Sequence, residues 1–426
     1  MTRKCANDGS RAEAATHRPF RGRHGHPRQA GPVRSVAFRP LRSAAAGPAA
    51  IVTVLAALAA AFGGTPASAA TVHASLKAAH VAPARPAAVS GVTWHALRLL
   101  NGWRSDQGAW NSGNPSWAVK GGVVYLSGSL HQPSGTSGEF AVLPAAARPA
   151  RILYLTVYTV NGTTGTLGIW PTGQMRVSSI VPRFSDAKDH ASLGASQDYT
   201  SLAGVSFPAA ATPTHKLSLL NGWQSSPPGY GTGVPAYTVI GGVVHLAGAV
   251  HQPTGTSNEF AVLPAAARPA RVLYLTVCTF VGNTGVLQIN PDGEMSAYQG
   301  DAQGFTSLAG VSFPVAAVAM RKLSLRNGWQ SSQSAFDSGD PGYTVTGGVV
   351  RLSGSMHQQA GSNLVFAVLP PAARPRHRLW ITTYTFDGVA GALRITPAGV
   401  MSAFNVSGNA ARAYTSLAGI AYPLGS

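Results

Sequence analysis

Cysteine, acidic side chains and long apolar runs are all scarce in this chain of 426 residues. The two cysteines are Cys5 and Cys278. Cys5 falls in a segment that reads as a removable leader, so no internal disulfide is available and the cores must hold the fold. Aspartate and glutamate total 14 against 32 lysines and arginines, a formal charge of +18. So few carboxylates weigh against glycan hydrolysis, which needs them in pairs. The excess is split, with +8 in residues 1–69 and +10 in the remainder. In the latter it is spread thinly, with no Lys/Arg run and no basic stretch interleaved with aromatics, which argues against nucleic acid as a partner. The one long apolar run is 46–62, AGPAAIVTVLAALAAAF. It is short for a membrane span.

That run follows Arg39 and Arg42 and precedes Ala67-Ser68-Ala69. A basic, an apolar and a small-residue stretch in this order predict a secretory leader over 1–69, cleaved after Ala69. The Arg-, His- and Gly-rich residues ahead of it lack periodicity and are expected to be disordered. Either the leader is extended or Val33 or Val36 is the true start. Residues 70–95 read as a linker. The expectation is a secreted protein, released or loosely associated with the cell wall, that meets a membrane only through its leader during export.

What is present is repetition. NGW begins at Asn101, Asn221 and Asn327, and GGVV begins at Gly121, Gly241 and Gly347. His-Gln falls at 131–132, 251–252 and 357–358, and Arg-Pro at 148–149, 268–269 and 374–375. Offsets of 120 and then 106 residues join all these landmarks, and TSLAG (Thr200, Thr306, Thr415) breaks them, which places an insertion at 178–195 of the first copy. Three modules follow, at 96–210, 211–316 and 317–426. In the first, Val124, Leu126 and Leu130 share a face, while the opposite face changes across copies from Tyr125 to His245 to Arg351. A constant apolar face beside a variable one predicts a half-buried antiparallel strand. The Gly-Gly before it suits a two-residue hairpin turn. With no amphipathic helix of useful length, the fold class is all-β, with three tandem antiparallel sandwiches or jelly-roll-like barrels.

The order NGW, GGVVxLxG, LPxxxRP, GxLxIxPxGxM, TSLAGVSF over residues 96–426 resembles the C-terminal head modules of phage tail-fibre and baseplate receptor-binding proteins. That resemblance implies β-rich modules, often trimeric, that recognise host-surface glycans or proteins.

For catalysis the residues offer little. No Asp or Glu recurs in all three copies; Asp292, for instance, aligns with Thr172 and Ala398. A hydrolytic site confined to the insertion would rest on Asp186, Asp189 and His190. His131, His251 and His357 recur, but without an acid to orient each imidazole or further ligands for a metal. Three readings stay open for them. They cap turns, they contact ligand together with Gln132, Gln252 and Gln358, or they meet at a pseudo-threefold axis. Trp103, Trp223 and Trp329 read as core plugs, with sugar stacking as the alternative. Trp110, Trp117, Tyr230 and Phe336 lie in the loop after NGW that varies most, where rigid β scaffolds carry recognition. Cys278 stands where the other copies have Tyr158 and Tyr384 and reads as core filler, with a reactive thiol as the other reading.

The expected function is non-enzymatic, multivalent binding of cell-surface or wall glycans, anionic ones being favoured by the charge. No cofactor is called for. The chain would act as a monomeric pseudo-trimer or a homo-oligomer. The rivals are a structural surface protein whose modules self-associate, and a hydrolase using the insertion.

Overall fold

Each repeat folds from the same short strands, which the computed structural model describes over residues 92–178, 194–405 and 409–426. The leader, the linker up to residue 91, and Asp186, Asp189 and His190 of the insertion lie outside the described residues. In the first repeat the strands are β1 (His95–Ala96), β2 (Arg104–Ser105), β3 (Ser116–Lys120), β4 (Val123–Ser127), β5 (Ser129–His131) and β6 (Glu139–Val142). They continue with β7 (Leu153–Tyr158), β8 (Thr164–Ile169), β9 (Gln174–Ser178), β10 (Thr200–Ser201) and β11 (Ser206–Pro208). Three antiparallel sheets result, ordered β1-β3-β4-β11, β10-β5-β2 and β6-β9-β8-β7, and their counterparts recur in the second and third repeats. The β3–β4 hairpin turns on Gly121 and Gly122, with φ of 58° and 80°, a left-handed pair that side chains resist.

Val124, Leu126 and Leu130 pack against Phe140, Leu155, Leu167, Ile169 and Met175 in one core, so the third sheet faces the first two as a sandwich. Trp103 closes its edge. It is 4% exposed, donates its indole N–H to the Ser137 carbonyl at 2.8 Å, and tilts on Phe140. Trp223 and Trp329 do the same against Ser257 and Asn363. The plug reading holds.

The half-buried expectation for β4 does not. Val123, Tyr125 and Ser127, on the face away from the core, are as buried as Val124 and Leu126. The reason is that the repeats are not separate bodies. All described residues fall in one compact unit, in which the three sandwiches close into a ring. The Ile152 N–H donates to Gly231 O at 3.1 Å, Val272 to Asp337 O at 3.1 Å, and Arg378 to Asn111 O at 2.8 Å. These are one bond at three equivalent positions, running from first repeat to second, second to third, and third back to first. The TSLAG turns interlock the other way. Ala309 packs on the first core, Ala418 on the second, and Ala203 belongs to the third.

β7 and its equivalents Leu273–Cys278 and Leu379–Tyr384 are edge strands of their sheets, and all three touch one another. Ring closure thereby covers three edges that would otherwise be open to pairing. A cavity of about 90 Å³ lies between them, lined at equivalent positions by Thr156, Thr276 and Thr382.

Candidate functional site

The His-Gln pairs divide into two roles. Each glutamine amide is pinned within its own repeat. Gln132 Nε2 donates to Asn101 O (2.7 Å) and Ser137 O (2.9 Å), Gln252 to Asn221 O (2.8 Å) and Ser257 O (2.9 Å), and Gln358 to Asn327 O (2.9 Å) and Asn363 O (2.8 Å). These bonds tie the NGW turn to the loop after the histidine. The glutamine donors of Gln132, Gln252 and Gln358 are thus engaged on backbone carbonyls, which gives these side chains a role within each repeat.

The histidines face one position, third after the NGW tryptophan. His131 Nδ1 lies 3.3 Å from Asp106, and His357 Nδ1 lies 3.0 Å from Ser332 Oγ. In the second repeat the equivalents are Ser226 and His251, whose Oγ and Nδ1 are shielded from solvent without a hydrogen-bond partner. Burial pushes the Asp106 carboxyl up, and His131 partly offsets that. A serine in reach of a histidine is half of a nucleophilic pair, yet Ser332 is only 1% exposed and no repeat brings Ser, His and a carboxylate together at this position. His131 and His357 are each engaged with a residue of their own repeat.

The loop aromatics have a different place from the one expected. Trp110, Tyr230 and Phe336 are one equivalent position, and each bridges two repeats. Trp110 packs on Tyr199 of its own repeat (5.0 Å) and Trp380 of the third (6.0 Å). Tyr230 packs on Phe305 (4.7 Å) and on Tyr154 of the first repeat (6.5 Å). Phe336 packs on Tyr414 (4.5 Å) and on Tyr274 of the second (6.4 Å). Such ring pairs are worth about 0.5–1.5 kcal/mol beyond their burial. Trp110, Tyr230 and Phe336 thus join neighbouring repeats while remaining half-buried. Trp117 is half-buried and stacks on His95 at 4.5 Å, at the β1–β3 edge. Cys278 fills the second of these clusters beside Tyr154 and Phe305, its thiol pushed up to about 12 by burial. It is core filler.

Outside those clusters, each seam opens into a cleft built from the same positions. The first–second cleft, about 440 Å³, takes Arg151 from the first repeat and Thr214, Lys216, Val234 and Ala236 from the second. The second–third cleft, about 230 Å³, has Arg271 opposite Met320, Lys322, Asp340 and Gly342. The third–first cleft, about 330 Å³, has Arg376 and His377 opposite Trp94, Asn114 and Ser116. Arg151, Arg271 and His377 are equivalent, as are Val234, Asp340 and Asn114, and as are Thr214, Met320 and Trp94.

The linings differ in charge. No carboxylate lines the first–second cleft, which leaves Arg151 and Lys216 net positive. In the second–third cleft Lys322 lies 2.5 Å from Asp340, and its hydrogen bond holds that carboxyl below the usual range. Arg271 is paired with Asp337 at 3.0 Å. In the third–first cleft the Trp94 indole N–H is shielded from solvent and has no partner.

Sequence reasoning missed Trp94, which lies in the segment read as linker although β1 begins at the next residue. It also missed Arg151, Arg271 and His377, although their equal spacing after Arg-Pro was available. Among the described residues no group of three or more His, Cys, Asp and Glu gathers to hold a metal ion. No helix among them is long and apolar enough to cross a membrane.

No family model matches this chain, and no curated protein does. Among solved structures, the BP39L lectin from Burkholderia pseudomallei is similar over 69% of this chain and 81% of its own, at 13% identity and a TM-score of 0.10. A likeness of that size carries no argument about ligand or architecture.

Proposed function

We propose that this chain is an exported, non-catalytic, multivalent binding protein whose three seam clefts take up cell-surface or extracellular glycans. The observation that carries the reading is one cleft frame built three times around a closed ring, with three different linings. A constant β scaffold with varied lining is the pattern of recognition surfaces. Sugar hydroxyls need donors and acceptors side by side, and sugar rings present apolar faces. The third–first cleft offers Arg376, His377, Asn114 and Ser116 around the indole of Trp94. The positive first–second cleft favours anionic glycans. The resemblance to phage receptor-binding heads supports the same reading, because three copies closed in one chain supply as many sites as a trimer would. Fixed on one ring, weak sites gain avidity by factors of ~10²–10⁴ where a surface engages several.

A glycan array probed with residues 70–426 tests this, with Arg151→Ala, Arg271→Ala and Trp94→Ala alone and combined. The expected result is signal that falls with each cleft lost, by about tenfold or more once two are removed. A folded wild-type protein silent on every glycan sinks the proposal.

A further inference from the structure

The outward face of β4 and its counterparts brings three unlike side chains together on the pseudo-threefold axis. Tyr125, His245 and Arg351 occupy equivalent positions in the three repeats, and the neighbouring Val123, Ile240 and Val349, one from each repeat, form a shared apolar cluster. Tyr125 and His245 are each 3% exposed. An Arg351 Nη2 N–H donates to the Tyr125 hydroxyl at 3.4 Å, and the guanidinium lies close enough to His245 to disfavour its protonated form.

The cluster is short of negative charge. Arg351 Nε and His245 Nε2 are both shielded from solvent with no hydrogen-bond partner, and the ion pairs found among the described residues all involve other side chains. Arginine does not escape burial by losing its proton, as a lysine can. Arg351 is half-buried, and its shielded Nε, with no carboxylate beside it, is a place for a counter-charge from solution. We propose that Tyr125, His245 and Arg351 form an axial site for a small inorganic anion of the halide class. The three groups come from three repeats, and with His245 in its Nε2–H tautomer all three can donate to a spherical acceptor. The surrounding Val123, Ile240, Val349 and Ala421 are apolar and offer the anion no competing polar group. The anion would neutralise Arg351 beside an apolar cluster that Trp94 of the third–first cleft also joins.

Two measurements on residues 70–426 test the site. In crystals grown with sodium bromide, anomalous scattering is expected to show bromide within hydrogen-bonding reach of Arg351 Nε. In solution, the melting midpoint at constant ionic strength is expected to rise and saturate as chloride or bromide replaces gluconate. Arg351→Met is expected to abolish both signals. Tyr125→Phe, which keeps the shape of the cluster, is expected to retain the bromide with a several-fold higher half-saturating concentration. An axis without anomalous signal, or a halide response unchanged in Arg351→Met, overturns the proposal. Should Arg351→Met not fold, the wild-type bromide map and the Tyr125→Phe titration decide it.

Discussion

At the scale of single residues, His245 is the group that ties stability to pH. Its folded pKa is lowered to about 4 from 6.5, first by burial and then by Arg351. As pH falls, the unfolded chain takes up this proton before the folded one does. The contribution of His245 is therefore complete above pH 6.5, is lost between 6.5 and 4, and levels off below that. The loss is on the order of 3 kcal/mol at about 1.4 kcal/mol per unit. Asp106 works in the other direction, because burial raises its pKa and protonation in acid favours the fold. In His245→Gln the acid-side loss is expected to shrink by a few kcal/mol, read from urea unfolding at pH 7, 5 and 4. An unchanged pH profile would assign the loss to other groups.

At the scale of elements, the TSLAG turn carries more of the ring than its length suggests. Gly204, Gly310 and Gly419 have φ of 81°, 78° and 76°, and each sits against an axial strand of another repeat. A Cβ on Gly310 would lie 2.5 Å from Leu155 Cδ2, and one on Gly419 2.5 Å from Leu275 Cδ2. Gly310→Ala therefore combines left-handed strain with overpacking, and about 1–3 kcal/mol of stability is expected to go, measured by denaturant unfolding. A shift below 0.5 kcal/mol would mean the neighbouring leucine repacks freely.

The same turn marks the limit of what the sequence made legible. The β3–β4 hairpin, the Trp103 plug and the constant core face of β4 were readable because their partners lie in the same repeat. Trp110, Tyr230 and Phe336 were not, because half of each one's contacts comes from another repeat, and a single repeat's pattern carries no sign of that. Tyr125, His245 and Arg351 misled for a related reason. Variation across copies looks like solvent exposure when each copy is read alone. Here Arg351 faces both Tyr125 and His245 from other repeats, so the three positions differ because they meet unlike neighbours.

At the scale of the whole molecule, three equivalent seams join three repeats, and each repeat uses both of its flanks. Removing residues 317–426 would leave one seam of three and uncover Trp110, Tyr158 and the cluster around Tyr274. Such apolar patches and open strand edges promote association. The two-repeat chain is expected to self-associate or precipitate, while residues 70–426 stay monodisperse in light scattering. A monomeric, folded two-repeat chain would show that the seams contribute little.

The hydrogen bond from Arg378 back to Asn111 has a topological meaning of its own. It makes the seam between the last and first repeats the same as the two seams the chain itself crosses. The peptide links between repeats are thus a matter of manufacture and not of architecture. Among the described residues the three repeats form a closed circuit with no distinct joint between last and first.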